Sequence, residues 1–408
     1  MFENLVNQNA TQYLISDIKK GTFPGAVLFS GNDASGKLTA ALEVSRVLSC
    51  KNKKGDWNCE CPSCLRQKNL TCTNVLLLGP RECALEIEAA KDTFLKAYKE
   101  NAKYLVATRY LYLRSIRKLT LRFSSILYKG DKNINKIGAL IEEINEALEQ
   151  LDFPRELPAF EELEKLCNQT NDLAHKLEND FLYSSIPINQ IRNMEEWAYI
   201  KSEEGKKTII IENADRMQSS VRNALLKILE EPPADCVFIL LTSRRNAVLP
   251  TILSRVRNYN FNERELIKQK DVIVRVFHNE NYEGSISDYL LSYLPVPAEK
   301  LRVTADDFIK GIVTGEFPDI NQLLKECNKF DPKIEFKIFL SRILECKGLL
   351  LKTPEGCEAA QELITAVRET WENVFSFNQS IQGSLENLIR EISRINQIHS
   401  KIITKVLS

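Results

Sequence analysis

The spacing of apolar and polar positions predicts an amino-terminal α/β part and a helical remainder. Residues 26–31, AVLFSG, form a short apolar run that ends in glycine, and residues 37–50 have the apolar spacing of a helix. Further apolar runs at 209–211 and 237–241 are followed by polar residues, as buried strands often are. After Phe261 the spacing is mostly helical. The pattern therefore predicts a strand, a loop and a helix within an α/β domain, followed by helices.

The loop between this first strand and helix has the composition of a phosphate-binding loop. In GNDASGKL, residues 31–38, glycines let backbone N–H groups point at a phosphate, and the following helix N-terminus adds positive potential. Lys37 is placed to reach the terminal phosphates. Leu38 stands where a serine or threonine would hold Mg2+. A P-loop fold is predicted, while both nucleotide binding and a glycine-containing turn without ligand stay open.

A second segment of the same site is expected at GKKTIIIENADRM, residues 205–217. P-loop enzymes keep an aspartate for magnesium and a catalytic carboxylate at the end of such a strand. Here the residues are Glu212, whose longer side chain can reach a metal, and Asn213, which cannot accept a proton from water as a carboxylate can. Because Leu38 and Asn213 both remove parts needed for hydrolysis, we expect no independent ATPase activity.

Charge and composition limit the classes of function. The 408 residues contain 55 Lys+Arg and 55 Asp+Glu, so nucleic acid is not bound through a strong overall charge. The length is expected to hold about two to four domains. The start, MFENLVNQNATQ, lacks the basic and apolar regions of a signal peptide, and no apolar segment approaches the roughly 18 residues of a membrane helix. We expect a cytoplasmic protein without membrane contact.

A cluster of cysteines predicts a structural zinc site. In CKNKKGDWNCECPSC the thiols of Cys50, Cys59, Cys61 and Cys64 are close enough in sequence to surround one Zn2+ tetrahedrally. Four cysteine ligands leave no open position for water, so a catalytic role is not expected. Cys72 is an alternative to Cys61 as the fourth ligand. Reduced or redox-active thiols without metal are the other interpretation.

About a hundred residues between the two parts of the nucleotide site predict long helices. One helical run is expected from Glu86 to Tyr128, a second from Ile134 to Leu151, and another within 159–182. The second run is acidic. The first can be a DNA or partner contact, or the two can pair as an antiparallel hairpin with charges beside an apolar seam, which we favour. The basic and aromatic residues of the first run are Lys103, Tyr104, Arg109, Tyr110, Tyr112, Arg114, Arg117, Lys118, Arg122 and Phe123.

Several segments together resemble the AAA+ clamp-loader family of bacterial DNA polymerase III, most closely its delta-prime branch. The most specific of them is NALLKILEEPP, residues 223–233. Most of the chain is covered by the resemblance, which implies a parallel sheet flanked by helices. The matching segments are FENLVNQ (2–8), KKGTFPGAVLFSGNDASGK (19–37), IPINQIRNM (186–194), the stretch 206–256, and FNQSIQGSLENLI (377–389).

The resemblance also implies a division into three parts. Residues 1–258 are expected to form an AAA+ P-loop domain that includes a zinc module, 50–72, and a helical insertion, 80–183. Residues 259–315 are expected to form a helical lid. Residues 316–408 are expected to form an all-α C-terminal collar domain that holds a ring of subunits together.

Roles for individual residues follow from the same resemblance. Ser254 and Arg255 match the Ser-Arg-Cys motif, whose arginine is presented to ATP on a neighbouring subunit, and Val256 departs from its cysteine. A solvated arginine without this role is the alternative for Arg255. Thr242 matches the position that senses the terminal phosphate. The candidate nucleotide-binding residues are then Gly31, Ser35, Gly36, Lys37, Glu212 and Thr242.

The expected function is that of a largely non-hydrolysing, delta-prime-like clamp-loader subunit. It would help to load the sliding clamp onto primed DNA, with structural Zn2+ and with ATP as a ligand left open. Its partners would be gamma/tau-like ATPase subunits and a delta-like subunit. The alternatives are an active gamma/tau-like ATPase and a zinc-containing nucleic-acid scaffold outside replication. Neutral net charge and NALLKILEEPP disfavour the scaffold.

Overall fold

A computed structural model describes residues 1–202, 205–328, 330–331, 334–345, 347–352, 354–375, 377–399 and 401–407. The chain forms two compact units, Met1–Leu290 and Leu291–Ser408. The predicted boundaries of a lid and a collar domain do not coincide with the limit of these units, and the three-part division stays a prediction.

The first unit is built on a five-stranded parallel sheet in the order β2-β3-β4-β1-β5. Val27 of the first strand lies opposite Ile239, and Leu77 lies opposite Ile210. The predicted strands at 26–31, 209–211 and 237–241 are confirmed. The strands are β1 (Ala26–Ser30), β2 (Val75–Leu78), β3 (Lys207–Ile211), β4 (Cys236–Thr242) and β5 (Arg257–Asn260).

Helices cover both faces of this sheet, which confirms the predicted α/β fold class. Parallel strands buried on both faces read as continuous apolar runs, as seen in residues 75–78. The helices of the first unit are α1 (Ala10–Lys20), α2 (Lys37–Leu48), α3 (Pro62–Asn69), α4 (Ala84–Lys99), α5 (Leu105–Thr120), α6 (Ile134–Leu151), α7 (Phe160–Phe181), α8 (Ile188–Tyr199), α9 (Ser219–Glu230), α10 (Pro250–Leu253), α11 (Leu266–Phe277) and α12 (Ile286–Leu291), the last of which ends one residue beyond the unit.

Alternate residues of the strands belong to different cores. Val27, Phe29 and Ile210 join a cluster with side chains of α1 and α2. Leu28 and Ile211 join a second cluster on the opposite face, together with side chains of α4 through α9. This alternation follows from the period of two in a strand.

The four helices of the insertion, α4 to α7, are part of the second cluster. Phe94, Tyr112, Ile144 and Leu163 are buried in it together with the sheet. The predicted helix Ile134–Leu151 is confirmed. The expected single run from Glu86 to Tyr128 is instead two helices, because the chain breaks near Asn101, whose φ of 48° lies in the left-handed region that asparagine tolerates.

The predicted hairpin between the basic and acidic runs is wrong in its pairing. α5 packs mainly against α4, and α6 mainly against α7. The acidic side chains of α6 face solvent at positions 142, 143, 146 and 149. The positive charges of α5 do not all lie on its solvent-facing side, because several of its arginines point inward. Sequence pattern alone could not distinguish a charged flank from buried cations with distant partners.

The interpretation of α5 as a DNA contact is wrong for its buried arginines. Arg109 donates to the carbonyl oxygens at residues 151, 152 and 155, at 2.6 to 2.8 Å. Arg114 donates to the carbonyl of Lys68, and Arg117 pairs with Asp152. These guanidinium groups are therefore engaged within the chain. Lys103, two residues before α5, is exposed.

The second unit is helical, as the pattern after Phe261 predicts. Its core includes Phe308, Phe330, Phe336 and Phe339, whose rings make edge-to-face contacts. No helix within the described residues is long and apolar enough to cross a bilayer. The helices are α13 (Ala298–Thr314), α14 (Ile320–Glu326), α15 (Glu335–Glu345), α16 (Lys347–Leu350), α17 (Pro354–Phe375), α18 (Ile381–Ile398) and α19 (Ile402–Leu407).

Candidate functional site

The predicted phosphate-binding loop joins the carboxyl end of β1 to the start of α2. Gly36, with a φ of 91°, is the N-cap of α2, in a conformation that favours glycine. At Gly31 an added Cβ would lie 2.1 Å from the carbonyl oxygen of Phe261, so only glycine fits this close approach. The first turn of α2 leaves its backbone N–H groups without helical partners. The loop therefore has the backbone geometry of an anion site.

The backbone of the phosphate-binding loop accepts hydrogen bonds from distant side chains and from its own lysine. Gln8 donates to the carbonyl of Ser35 at 3.1 Å, and Arg264 donates to that of Ala34 at 3.0 Å. Lys37 Nζ donates to the carbonyl oxygens of Gly31 and Asn32 and, at 3.3 Å, to Ser35 Oγ. Burial lowers the pKa of Lys37.

Leu38 cannot take over the role of the serine or threonine hydroxyl that binds Mg2+ in P-loop proteins. Its side chain is 5% exposed and lies in the hydrophobic cluster of the sheet and α2. It contributes to packing and cannot bind a cation.

Glu212, at the carboxyl end of β3, is held by two arginines. Arg81 Nη1 donates to Oε1 at 3.0 Å, and Arg122 Nη2 donates to Oε2. Although burial alone would raise it, the pKa of Glu212 is lowered, because Arg122 and Arg81 stabilise the carboxylate. The candidate metal-binding carboxylate is therefore paired with cations of its own chain.

The other two residues at this edge are also engaged in internal hydrogen bonds. Asn213 Nδ2 donates to the carbonyl of Pro80 at 2.6 Å, a bond that an aspartate could not make. Thr242 Oγ1 donates to Asp215 at 2.7 Å and accepts from the backbone N–H of Arg244 at 3.0 Å. The structure thus brings Lys37, Glu212 and Thr242 to one edge of the sheet, with each polar group bonded to the protein.

Sequence reasoning missed Arg81 and Arg122 as site residues. Neither belongs to a motif, and they are 131 and 90 residues before Glu212 in sequence. A weak signal was present, because Arg122 lies between apolar residues in LTLRFSSIL, and a buried charge requires a partner.

Arg255 lies at the opposite, amino edge of the sheet. It precedes β5 and lines a surface cavity together with Pro24, Gly25 and Glu230, close to the start of β1. Its Nη2 donates to Glu230 at 3.0 Å, and its side chain is 26% exposed. Ser254, beside it, is exposed and donates to the carbonyl of Thr251. A five-residue strand is about 15 Å long, so Arg255 is remote from this chain's own phosphate loop.

The four predicted zinc ligands are brought together. The sulfur atoms of Cys50, Cys59, Cys61 and Cys64 all lie within 4.8 Å of one another. The Sγ atoms of Cys50 and Cys59 are 3.7 Å apart, close to the roughly 3.8 Å between sulfurs in a tetrahedral site with Zn–S bonds near 2.3 Å. The donor set can hold one metal ion such as Zn2+. Cys72, the alternative ligand, lies instead in the hydrophobic cluster of the sheet.

A buried arginine contacts the cysteine cluster. Arg46 Nη1 donates to Cys64 Sγ at 3.3 Å, and both partners are almost fully buried. Arg46 also pairs with buried Glu43 and lies over the ring of Trp57, with 5.4 Å between the guanidinium carbon and the ring centroid. A guanidinium beside a thiolate favours the charged form that a metal requires.

Comparison with known proteins identifies the family. A family model described as DNA polymerase III, delta subunit, matches residues 6–134 and 112–265, which together exceed half of the chain. The chain belongs to this family. The match covers the sheet, the loop, the insertion and the segment of Arg255.

Individual relatives match over shorter stretches. Subunit delta' of DNA polymerase III from Bacillus subtilis is 40% identical over 78 residues, 19% of this chain and 24% of the relative. Subunit gamma/tau from Mycobacterium tuberculosis is 44% identical over 55 residues, 14% of this chain and 10% of the relative. The chain thus spans at most about a quarter of these relatives.

Solved structures also show a distant likeness. A DNA polymerase III gamma subunit-related protein from Thermotoga maritima covers 56% of this chain and 90% of its own length, at 18% identity. Its TM-score of 0.27 is too low to support an argument about the fold.

Proposed function

We propose that this chain is a delta-prime-like subunit of a bacterial DNA polymerase III clamp loader and does not hydrolyse ATP by itself. The observation that carries the proposal is the pairing of Glu212 with Arg81 and Arg122, together with Leu38 in the core. A carboxylate fixed in two ion pairs is not free to bind Mg2+ or to accept a proton from water. The phosphate loop keeps the geometry for an anion without the groups that would cleave it.

The same proposal gives Arg255 a role in another subunit. A guanidinium presented to bound ATP stabilises the charge that develops on the transferred phosphoryl group. Arg255 is half-buried at the amino edge of the sheet, away from its own loop, and its partner Glu230 is 58% exposed. An ion pair that is partly open to solvent in this way is weak and can be exchanged for a ligand. These features support presentation of Arg255, with Ser254 beside it, to ATP on a neighbouring subunit.

The test is ATP hydrolysis by the reconstituted complex. Replacing Arg255 with alanine is expected to lower DNA-stimulated hydrolysis while leaving assembly intact, because only the charge at the neighbouring site is lost. Arg257→Ala is a matched control, since Arg257 is 49% exposed and pairs with Asp17 instead. Turnover unchanged by Arg255→Ala would remove the proposed role.

A gamma/tau-like ATPase is the second candidate, and the 44% identity to a gamma/tau subunit over 55 residues favours it. It would require Lys37 and Glu212 to be sufficient for hydrolysis. The purified chain alone decides between the candidates. ATP turnover above background that disappears in Lys37→Ala would support the ATPase and contradict a non-hydrolysing subunit.

The remaining parts of the proposal concern ligands and partners. Cys50, Cys59, Cys61 and Cys64 would bind a structural Zn2+, which stabilises a loop-rich module. ATPase subunits of the gamma/tau type and a delta-like subunit would be direct partners in the cytoplasm. The sliding clamp and primed DNA would be reached through the complex. Co-purification with these subunits, followed by a clamp-loading assay with and without this chain, tests this part.

A further inference from the structure

Two guanidinium groups hold the carboxylate at the carboxyl end of β3 in this chain. P-loop proteins hold Mg2+ there through a carboxylate and a hydroxyl of the loop. We propose that Arg81 and Arg122 take the place of that cation, so that Mg2+ adds nothing to the affinity of this site for a nucleotide. The helical insertion, whose function the sequence left open, keeps Arg122 in this position.

The guanidinium of Arg122 is held by hydrogen bonds to two segments of the sheet. It follows α5 in a short turn, Leu121–Phe123, and only 2% of the residue is exposed. One terminal nitrogen donates to Glu212 Oε2, and the other donates to the carbonyl of Gly79 at 2.9 Å. Gly79 itself lies against the backbone of Glu212, where an added Cβ would be 2.5 Å from the carbonyl oxygen. The guanidinium therefore bridges the ends of β2 and β3.

Packing of the insertion keeps this bridge in place. The helix α5 leads into this turn. Its side chains Tyr112, Ile116 and Leu119 are fully buried in the second hydrophobic cluster, which packs on the sheet. Arg117 on the same helix donates to the carbonyl of Asn69 and pairs with Asp152. Displacing Arg122 would require movement of a helix packed on the core.

The charges around Glu212 disfavour a further cation. Arg81 also pairs with Glu86 at 3.1 Å, and Lys118 donates to the other oxygen of Glu86. This connected group thus contains three cations, Arg81, Lys118 and Arg122, and two carboxylates. A Mg2+ ion at Glu212 would lie next to two guanidinium groups in a largely buried place, where like charges repel strongly.

The described side chains at the positions expected to bind Mg2+ either carry no oxygen or have it engaged in hydrogen bonds. Mg2+ requires near-octahedral oxygen coordination. Leu38 is buried in the core, and the hydroxyl of Thr242 is engaged with Asp215. Asp215 in turn accepts two bonds from Arg244, at 3.0 and 3.1 Å. The two carboxylates at this edge, Glu212 and Asp215, are thus bonded to guanidinium groups.

This inference rests on the nucleotide site of the proposed function, but it concerns the cation and not turnover. Its test is the affinity of the full chain, with its cysteine site loaded with zinc, for a fluorescent ATP analogue. Titrations are done without added divalent cation and with millimolar Mg2+, and without chelators that would remove zinc. The variants are the double substitution Arg81→Met with Arg122→Met, and Glu212→Gln. Arg117→Met is the matched control, because it removes a buried α5 arginine that does not contact Glu212.

Mg2+ is expected to change the affinity of the wild type for the ATP analogue by less than about twofold. In the double variant, Mg2+ is expected to raise this affinity about tenfold or more. The gain should be absent from Arg117→Met and should disappear when Glu212→Gln is added. A wild type whose affinity rises about tenfold with Mg2+, and loses that rise in Glu212→Gln, would overturn the proposal. If the wild type binds no analogue in either condition, the double variant decides, and a folded double variant without Mg2+-dependent binding overturns the proposal.

Folding is checked independently of binding. Each variant must keep its zinc content and a cooperative thermal transition. Should the double variant not fold, Arg81→Met alone replaces it, since Arg81 is 34% exposed and Arg122 then stays in place. A smaller gain of Mg2+ dependence than about tenfold is expected there, and none at all would count against the proposal. ATP turnover plays no part in these readouts, so failure here and failure of the non-hydrolysing function are distinguishable.

Discussion

Two edges of one sheet each hold an arginine against a glutamate, and burial gives the two pairs different meanings. At the carboxyl edge, the side chains of Arg122 and Glu212 are 1% and 9% exposed. At the amino edge, those of Arg255 and Glu230 are 26% and 58% exposed. The chemistry of the two pairs is the same, while the amount of water around them is not.

The difference determines what each arginine can do. A buried charge without its partner is strongly destabilising, so Arg122 and Glu212 are bound to each other as part of the fold. An exposed pair contributes little to stability, and either member can change partner at low cost. The carboxyl edge is therefore structurally fixed, whereas the amino edge offers a cation to a ligand from outside.

The largest effect is expected at the cysteine cluster, which lies toward the amino edge. Cys64→Ser should reduce zinc from about one ion per chain to none, and should lower the free energy of unfolding by several kcal/mol, because structural zinc contributes on the order of 10 kcal/mol to such segments. Metal analysis and denaturant unfolding measure both. A metal-free wild type that unfolds like the zinc-loaded protein would contradict this expectation.

Glu212→Gln should be the next most damaging change. It leaves the buried Arg122 without a carboxylate, and loss of one partner of a buried pair costs about 3 kcal/mol or more. Chemical denaturation at neutral pH measures this loss. Glu196→Gln is the control, because Glu196 pairs with Lys129 in solvent. Equal effects of the two substitutions would refute the contrast between buried and exposed pairs.

Acid should weaken the carboxyl edge through Glu86 and Glu212. Although burial opposes the shift, Lys118 and Arg81 lower the pKa of Glu86 from 4.5 to about 2. A carboxyl with a depressed folded-state pKa stabilises the protein above pH 4.5, and this contribution is lost as the pH falls from 4.5 toward 2. For Glu86 the loss amounts to about 3 kcal/mol at most.

The measurement is the free energy of unfolding of wild type and Glu86→Gln at several pH values between 5 and 3. The difference between them should shrink as the pH falls, and comparing the two proteins removes the acid sensitivity that both share at the cysteine cluster. A difference that is constant with pH would show that Glu86 is not stabilised as a carboxylate.

The smallest effect is expected at the amino edge itself. Glu230→Gln should change the free energy of unfolding by less than about 1 kcal/mol, since Glu230 is largely exposed. Thermal unfolding is sufficient to measure it. A loss as large as that of Glu212→Gln would mean that Arg255 is held as a structural group and is not available to another subunit.

Features of the fold were predictable from the sequence where neighbouring residues within one segment determine them. The strand at residues 26–31, the loop with Gly36 and Lys37, and the helix Ile134–Leu151 follow from apolar spacing and glycine chemistry. The four cysteines were also identifiable, because 15 consecutive residues carry all of them.

Partners distant in sequence could not be predicted in the same way. The arginines of α5 looked like a charged surface, since a pattern of positive charge does not show whether carboxylates and carbonyls from other segments lie opposite. Arg122 is 90 residues from Glu212, and Arg117 is 35 residues from Asp152. The break at Asn101 depends likewise on how α4 and α5 pack.

The sequence by itself determined three of the five sheet strands, the phosphate loop, the absence of a loop hydroxyl at Leu38 and the cysteine set, because each depends on neighbouring residues or on residue identity. Only the tertiary structure decided that Glu212 is neutralised by Arg81 and Arg122, and that Arg255 lies at the other edge. Burial and pairing of charge depend on which segments meet in space. Folding brings the insertion onto the sheet, and the desolvation of its arginines makes their ion pairs part of the core.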